Sequence, residues 1–166
     1  EEQLTGEFSV AAGYSTADGI LGELTIGERN FLGRGQYVRT SLQYGERVKG
    51  IEFSFTEPYF MDYRLAAGFD LFYKSTQPSE FVAYGIDTVG GTLRATARLN
   101  EEITMQVRYS AFQREIVAGS TTYLVSNAIL SSLFTPYLTS SVGYTLIYNS
   151  LDNNKEPTSG FYAQFA

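Results

Sequence analysis

Between Met61 and Lys74 the chain reads M-D-Y-R-L-A-A-G-F-D-L-F-Y-K, in which Leu65, Ala67, Phe69, Leu71 and Tyr73 alternate with Ala66, Gly68, Asp70, Phe72 and Lys74. A period of two is the signature of a strand, because successive side chains of an extended backbone point to opposite faces. The odd positions form an unbroken apolar ribbon. The even positions mix glycine, small, charged and aromatic side chains, which a dry core accepts poorly. One face expects oil, and the other expects water or a loosely filled polar interior.

The same asymmetry recurs along the chain. Phe8, Val10, Ala12 and Tyr14 alternate with Glu7, Ser9, Ala11 and Gly13, and after a tight turn at Ala17-Asp18-Gly19 come Ile20, Gly22, Leu24 and Ile26 against Leu21, Glu23, Thr25, Gly27 and Arg29. Beyond R-N-F-L-G-R-G, whose two glycines permit positive φ, Val38, Thr40, Leu42 and Tyr44 alternate with Arg39, Ser41, Gln43 and Gly45. Ile51, Phe53 and Phe55 follow, and Pro58 in T-E-P-Y-F-M-D ends pairing because it cannot donate a ladder hydrogen bond. A long segment from Phe81 to Leu99 carries Val89 to Leu99 against Thr88 to Arg98. Its first half, with Tyr84 and Ile86 on the polar parity, expects a bulge or an extension of the strand out of the membrane. Ile103 to Ala111 and Val142 to Tyr148 repeat the pattern. From Arg114 to Thr135 the alternation weakens: Val117-Ala118-Gly119-Ser120 reads as a loop, V-S-N-A-I-L-S-S-L-F fits a short helix, a strand or a loop, and Pro136 disfavours a continuous helix.

About eight strands and the start of a ninth result, all joined by connections too short for crossover helices, so neighbours must be antiparallel. Thirteen Tyr, twelve Phe and sixteen Gly against four Pro fit this all-β meander in a single domain over residues 1–166. The abrupt opening and the alternating F-Y-A-Q-F-A close suggest a piece of a longer polypeptide. With no cysteine and no histidine the chain lacks thiolates and the commonest metal ligand and acid/base group. Alternation scatters its carboxylates over several strands, so neither an enzyme nor a cofactor or metal site is expected. A net charge of −6 argues against a nucleic-acid partner.

A soluble up-and-down barrel with an apolar inside and a membrane barrel with an apolar outside share this meander. No run reaches the roughly 18 to 20 apolar residues of a membrane helix, but a barrel strand needs only about 9 to 11. The polar parity holds Glu7, Glu23, Arg29, Arg39, Glu52, Asp70, Lys74, Arg94, Arg98 and Arg108, which suit either choice. Gly13, Gly27, Gly45, Gly68, Gly90 and Gly143 share that parity and weaken strands unless curvature or close packing requires them. Tyrosines near strand ends, including Tyr14, Tyr44, Tyr59, Tyr63 and Tyr73, suit headgroup depth. These features favour the antiparallel transmembrane β-barrel. Its lumenal charges, Glu23, Arg39, Glu52, Asp70, Arg94, Arg98 and Arg108, are expected to neutralise one another along a wet wall, or to line a polar channel or a docking surface for a plug.

Four stretches in order, T-G-E-F-S-V-A-A-G-Y-S-T-A-D-G, R-N-F-L-G-R-G, T-E-P-Y-F and L-D-N-N-K-E-P-T-S-G, make the chain resemble the barrel domain of the bacterial surface antigen superfamily over essentially all its length. The resemblance implies the N-terminal half of a barrel of about sixteen strands in the bacterial outer membrane. Thr5, Gly6, Glu7, Phe8, Ser9, Val10, Ala11, Ala12, Gly13 and Tyr14 would then form the first strand, whose weak pairing with the last makes a lateral seam. Arg29, Asn30, Phe31, Leu32, Gly33, Arg34 and Gly35 would form one periplasmic turn, Glu57, Pro58, Tyr59 and Phe60 the next, and Asp152, Pro157 and Gly160 a later one. The long loop with the family's V-R-G-[FY] motif is absent from these residues.

By that resemblance the function is assembly and insertion of other barrel proteins, which add a terminal strand to the first strand's edge through backbone hydrogen bonds. The implied partners are outer-membrane lipids or detergent, unfolded β-barrel clients and accessory lipoproteins, with edge-to-edge self-association open to a fragment. A porin or a two-partner-secretion translocator of related fold is the functional alternative, and a soluble lipid-binding barrel the structural one.

Overall fold

Strands that are apolar on one side only must line up so that every apolar side chain falls on the same side, and the computed structural model shows that alignment. It describes the chain apart from residues 1–4, 17–18, 79–81, 83, 119–134, 154 and 156. The strands are β1 (Gly6–Ser15), β2 (Gly19–Phe31), β3 (Gln36–Gly45), β4 (Val48–Glu57), β5 (Leu65–Thr76), β6 (Tyr84–Arg98), β7 (Ile103–Ala118), β8 (Tyr137–Asn149) and β9 (Tyr162–Phe165). They form one antiparallel sheet in sequence order, from β1 at one edge to β9 at the other. β2, β4, β6 and β8 end and β3, β5, β7 and β9 begin at one rim, which holds the turns at 32–35, 58–64 and 99–102, and the turn at 46–47 lies at the other.

The register makes the two faces explicit. One row runs Glu7, Gly27, Arg39, Ser54, Asp70, Thr92, Ser110, Ser141 from β1 to β8, polar or glycine throughout. The row on the opposite face runs Val38, Phe55, Phe69, Leu93, Tyr109, Val142 from β3 to β8. Phe69 packs its ring against Phe55 and Phe53 at centroid distances of 5.7 and 5.9 Å. Phe8 is nevertheless 72% exposed, Leu93 60% and Val142 74%, and among the described residues no large side chain is fully buried. An apolar area of this extent requires a non-aqueous neighbour.

Three expectations change in detail. The first half of β6 contains no bulge: its register with β5 and β7 is unbroken, and Tyr84 and Gly85 pair with Ala118 and Val117 beyond the last β5 partner, Thr76 opposite Ile86. The irregularity lies instead between Glu28 and Phe31, where β2 shifts against β3 on entering the first rim turn. β7 also continues through Val117 and Ala118, read from sequence as loop, because β6 supplies a partner for each residue. The rest of the ambiguous stretch, 119–134, lies outside the described residues, as do Ala17 and Asp18 of the first turn.

Candidate functional site

Among the described residues the backbone of β1 has a strand on one side only. In an antiparallel pair, alternate residues exchange hydrogen bonds with the partner while those between them turn N–H and C=O away. The Arg29 N–H donates to the Thr5 carbonyl at 3.1 Å, which makes Thr5 and Arg29 a bonded pair. Carried along the continuous β1–β2 register, that parity turns Glu7, Ser9, Ala11 and Gly13 toward β2. Gly6, Phe8, Val10, Ala12 and Tyr14 therefore present their backbone groups to the open side. Five of the ten first-strand residues singled out from sequence form the edge, and the others hold it to the sheet.

Glu7 fixes the start of this edge. Its carboxylate forms an ion pair with Arg29 of β2 and accepts a hydrogen bond from the Tyr37 hydroxyl of β3 at 3.4 Å. Deeper in the polar face Arg94 and Asp70 pair, with Nε 2.8 Å from Oδ2 and Nη2 3.0 Å from Oδ1, while Nη2 also donates to Thr56 Oγ1 at 3.2 Å. Ser54 donates to the same Asp70 carboxylate. Thr25 with Ser41, and Thr92 with Ser110, form direct cross-strand hydroxyl pairs at 2.9 and 3.0 Å.

The remaining predicted lumenal charges divide. Glu23, Arg39 and Glu52 come together with Lys74 around a hollow of about 420 Å³. Arg108 lies opposite Arg94 and Gly143, and Arg98 opposite Thr104; among the described residues neither has a carboxylate partner. Mutual neutralisation thus holds for Asp70 with Arg94 and not for every arginine. Among the described residues no three Asp, Glu, His or Cys side chains stand close enough to hold a metal ion.

Each rim turn has its own means of reversal. In the first, Leu32 and Gly33 have φ of 56° and 72°, and the Arg34 N–H donates to the Phe31 carbonyl at 3.2 Å, as in the primed hairpin turns. Asn30 Oδ1 accepts the Gly35 N–H at 2.7 Å, with Gly35 also at positive φ. The sequence identified the two glycines but gave no sign that Leu32 shares their conformation. In the second turn pairing stops at Glu57 opposite Ala67, before Pro58, and Tyr59 leads into a short 3₁₀ turn over Phe60–Asp62. In the last, Asp152 Oδ1 accepts the N–H groups of Asn153, Thr158 and Ser159 at 2.9, 3.0 and 3.1 Å, and Oδ2 accepts the Thr158 hydroxyl. Pro157 is exposed within this turn, and Gly160 closes it at φ 111°.

Sequence reasoning did not single out one constellation on the polar face. Gly90 lies between Phe72 of β5 and Phe112 of β7, directly opposite both, and the Arg114 guanidinium stacks over Phe112 at 5.4 Å. The even parity of Phe72 was the available signal; the opposition of two aromatics across one glycine depends on a register that no local pattern encodes.

The family described as the Omp85 superfamily domain matches residues 30–166. Among curated proteins, the outer membrane protein assembly factor BamA of Neorickettsia risticii (strain Illinois) is 26% identical over 167 residues, covering 99% of this chain and 22% of its own length. Among solved structures, the crystal structure of BamA from Haemophilus ducreyi lacking POTRA domains 1–3 superposes with a TM-score of 0.66 at 19% identity. The match covers 99% of this chain and 34% of that one. The chain therefore spans about a fifth of the curated relative and a third of the solved one.

Proposed function

The chain belongs to the Omp85 superfamily, and from that premise we propose that it forms the first-strand part of a bacterial outer-membrane barrel whose open β1 edge receives strands of other barrel proteins during their assembly. The observation that carries this reading is the backbone parity of β1. Gly6, Phe8, Val10, Ala12 and Tyr14 direct their N–H and C=O groups to a side with no neighbouring strand among the described residues. An incoming strand that completes those bonds extends the sheet, and its own alternation places its apolar residues beside Phe8 and Val10. The exposed apolar face supports lipid as the surrounding medium.

Such templating is carried by hydrogen bonds and lipid burial, so it calls for no nucleotide, cofactor or covalent chemistry. The clients are unfolded outer-membrane barrel proteins, recognised by backbone and alternation rather than by one side chain. Accessory lipoproteins of an assembly complex would meet the full-length protein at its rim, where Asn30, Gly33 and Gly35 shape the first turn. The test is a cysteine pair joining β1 to the closing strand of the full-length protein in reconstituted vesicles. Oxidation is expected to abolish client folding and reduction to restore it, and undiminished folding in the oxidised state rejects the reading.

A further inference from the structure

A hollow of about 910 Å³ opens on the apolar face at the rim where the first two turns lie. Its wall is the apolar row itself, Phe55, Phe69 and Leu93, contributed by three successive strands and directly opposed in register. Its polar lining includes Arg34 of the first turn, Glu57 at the end of β4 and Asp62 of the second turn. Glu57 is oriented from both sides, accepting from Gln36 Nε2 at 2.6 Å and from the Tyr59 N–H at 3.3 Å.

The second turn is not built only to reverse the chain. The first turn places glycine at two of its three positive-φ positions, whereas the second places Met61 and Asp62 at φ 55° and 63° in succession with no glycine. Left-handed backbone at non-glycine residues costs about 1 kcal/mol or more each, and it persists where surrounding structure requires it. Here it sets Tyr59, Phe60 and Met61 around the hollow, with Met61 73% exposed.

We propose that this hollow seats one membrane phospholipid whose headgroup carries both a phosphate and a primary ammonium, an inference that rests on the membrane reading of the apolar face. The acyl chains lie along Phe55, Phe69 and Leu93, as lipid does on the rest of that face. The polar lining holds one cation and two anions, so a headgroup with phosphate alone would satisfy Arg34 and be repelled by Glu57 and Asp62. A zwitterion answers all three: phosphate on the Arg34 guanidinium, ammonium between the two carboxylates. Both Glu57 oxygens keep a lone pair beyond the bonds they accept from Gln36 and Tyr59, and only a primary ammonium has N–H groups to donate to them.

The experiment titrates the full-length protein, stripped of lipid in detergent, with phosphatidylethanolamine, phosphatidylcholine or phosphatidylglycerol, and counts retained lipid by native mass spectrometry. Phosphatidylethanolamine is expected to be held about tenfold more tightly than the other two. The double variant Arg34→Gln, Asp62→Asn should bring the three to parity; both side chains are exposed, and asparagine tolerates the left-handed backbone at 62. Equal retention of the three lipids by the unaltered protein, or selectivity unchanged in the double variant, overturns the proposal. Heat-modifiable gel mobility after reconstitution reports barrel formation separately. A protein that forms no barrel in any vesicle rejects the membrane reading and the seat together, and a formed barrel without selectivity rejects the seat alone.

Discussion

Arg94 on β6 and Asp70 on β5 meet on the diagonal: Arg94 stands opposite Gly68 and Asp70 opposite Thr92, yet Nε lies 2.8 Å from Oδ2. The missing side chain at Gly68 leaves the guanidinium its place, since a Cβ there would lie 3.3 Å from Arg94 Nη2. Arg94 and Asp70 are 33% and 20% exposed, so solvent screens the pair in part, and it contributes about 1 kcal/mol rather than the several of a fully desolvated pair. Arg94→Gln is expected to lower barrel stability by about that amount. A double-mutant cycle with Asp70→Asn, read by urea unfolding of the reconstituted full-length protein, should show coupling; strict additivity would refute the pairing.

Glycines on the polar parity are not equivalent, and alanine separates them. At Gly90 a Cβ would sit 2.4 Å from Phe112 Cβ and 2.6 Å from the Ala111 carbonyl oxygen, and at Gly68 it would sit 2.6 Å from the Phe55 carbonyl oxygen. At Gly143 nothing lies within 4 Å. Gly90→Ala and Gly68→Ala should each destabilise the barrel by about 1–3 kcal/mol through backbone displacement. Gly143→Ala should stabilise by about 0.5 kcal/mol, by restricting the unfolded chain. Unfolding midpoints in one lipid composition decide the ranking.

These glycines also mark the limit of what the sequence reveals. Alternation over Leu65 to Tyr73 is a local property, so the strands, their faces and their antiparallel order are legible without coordinates. That Gly90 falls between Phe72 and Phe112, or Gly68 beside Arg94, depends on cross-strand register, which turn geometry helps to set and no local pattern spells out. The edge was legible as a strand but not as a parity. The bond from Arg29 to Thr5 tells Val10 from Ala11. The segment Arg114 to Ala118 was ambiguous because R-E-I-V lacks alternation, and it is a strand because β6 pairs with it.

The rim turn built on Asp152 carries a pH dependence. The Thr158 hydroxyl, with the N–H groups of Ser159, Thr158 and Asn153, holds the Asp152 carboxyl down from 3.8 to about 2. A carboxyl depressed by the ordered turn contributes order that is complete above its ordinary pKa and lost as pH falls through the lower value. The turn should therefore stay closed above about pH 4 and loosen between there and pH 2. Amide exchange at Thr158 and Ser159 is the measurement. Asp152→Ala should abolish the dependence and leave both amides fast at neutral pH, and protection that is flat across the window in the unaltered protein would refute the assignment.

Proline distinguishes the two backbone parities of β1. Val10 turns its N–H toward the open side, so Val10→Pro removes one donor from the edge without breaking a bond to β2, and edge strands tolerate proline when its nitrogen faces outward. Ala11 turns its N–H toward Glu23 of β2, so Ala11→Pro breaks the ladder that holds the edge in place. A backbone hydrogen bond contributes about 1 kcal/mol net, which corresponds to about a fivefold change in an equilibrium or a rate. Val10→Pro in the full-length protein should therefore leave barrel stability within about 0.5 kcal/mol and slow client folding in reconstituted vesicles by about fivefold or more. Ala11→Pro should lower barrel stability itself by about 3 kcal/mol. Client folding at the unaltered rate in a stable Val10→Pro barrel would show that the open edge of β1 receives nothing, whereas slowed folding with an intact β1–β2 ladder separates templating from mere structural support.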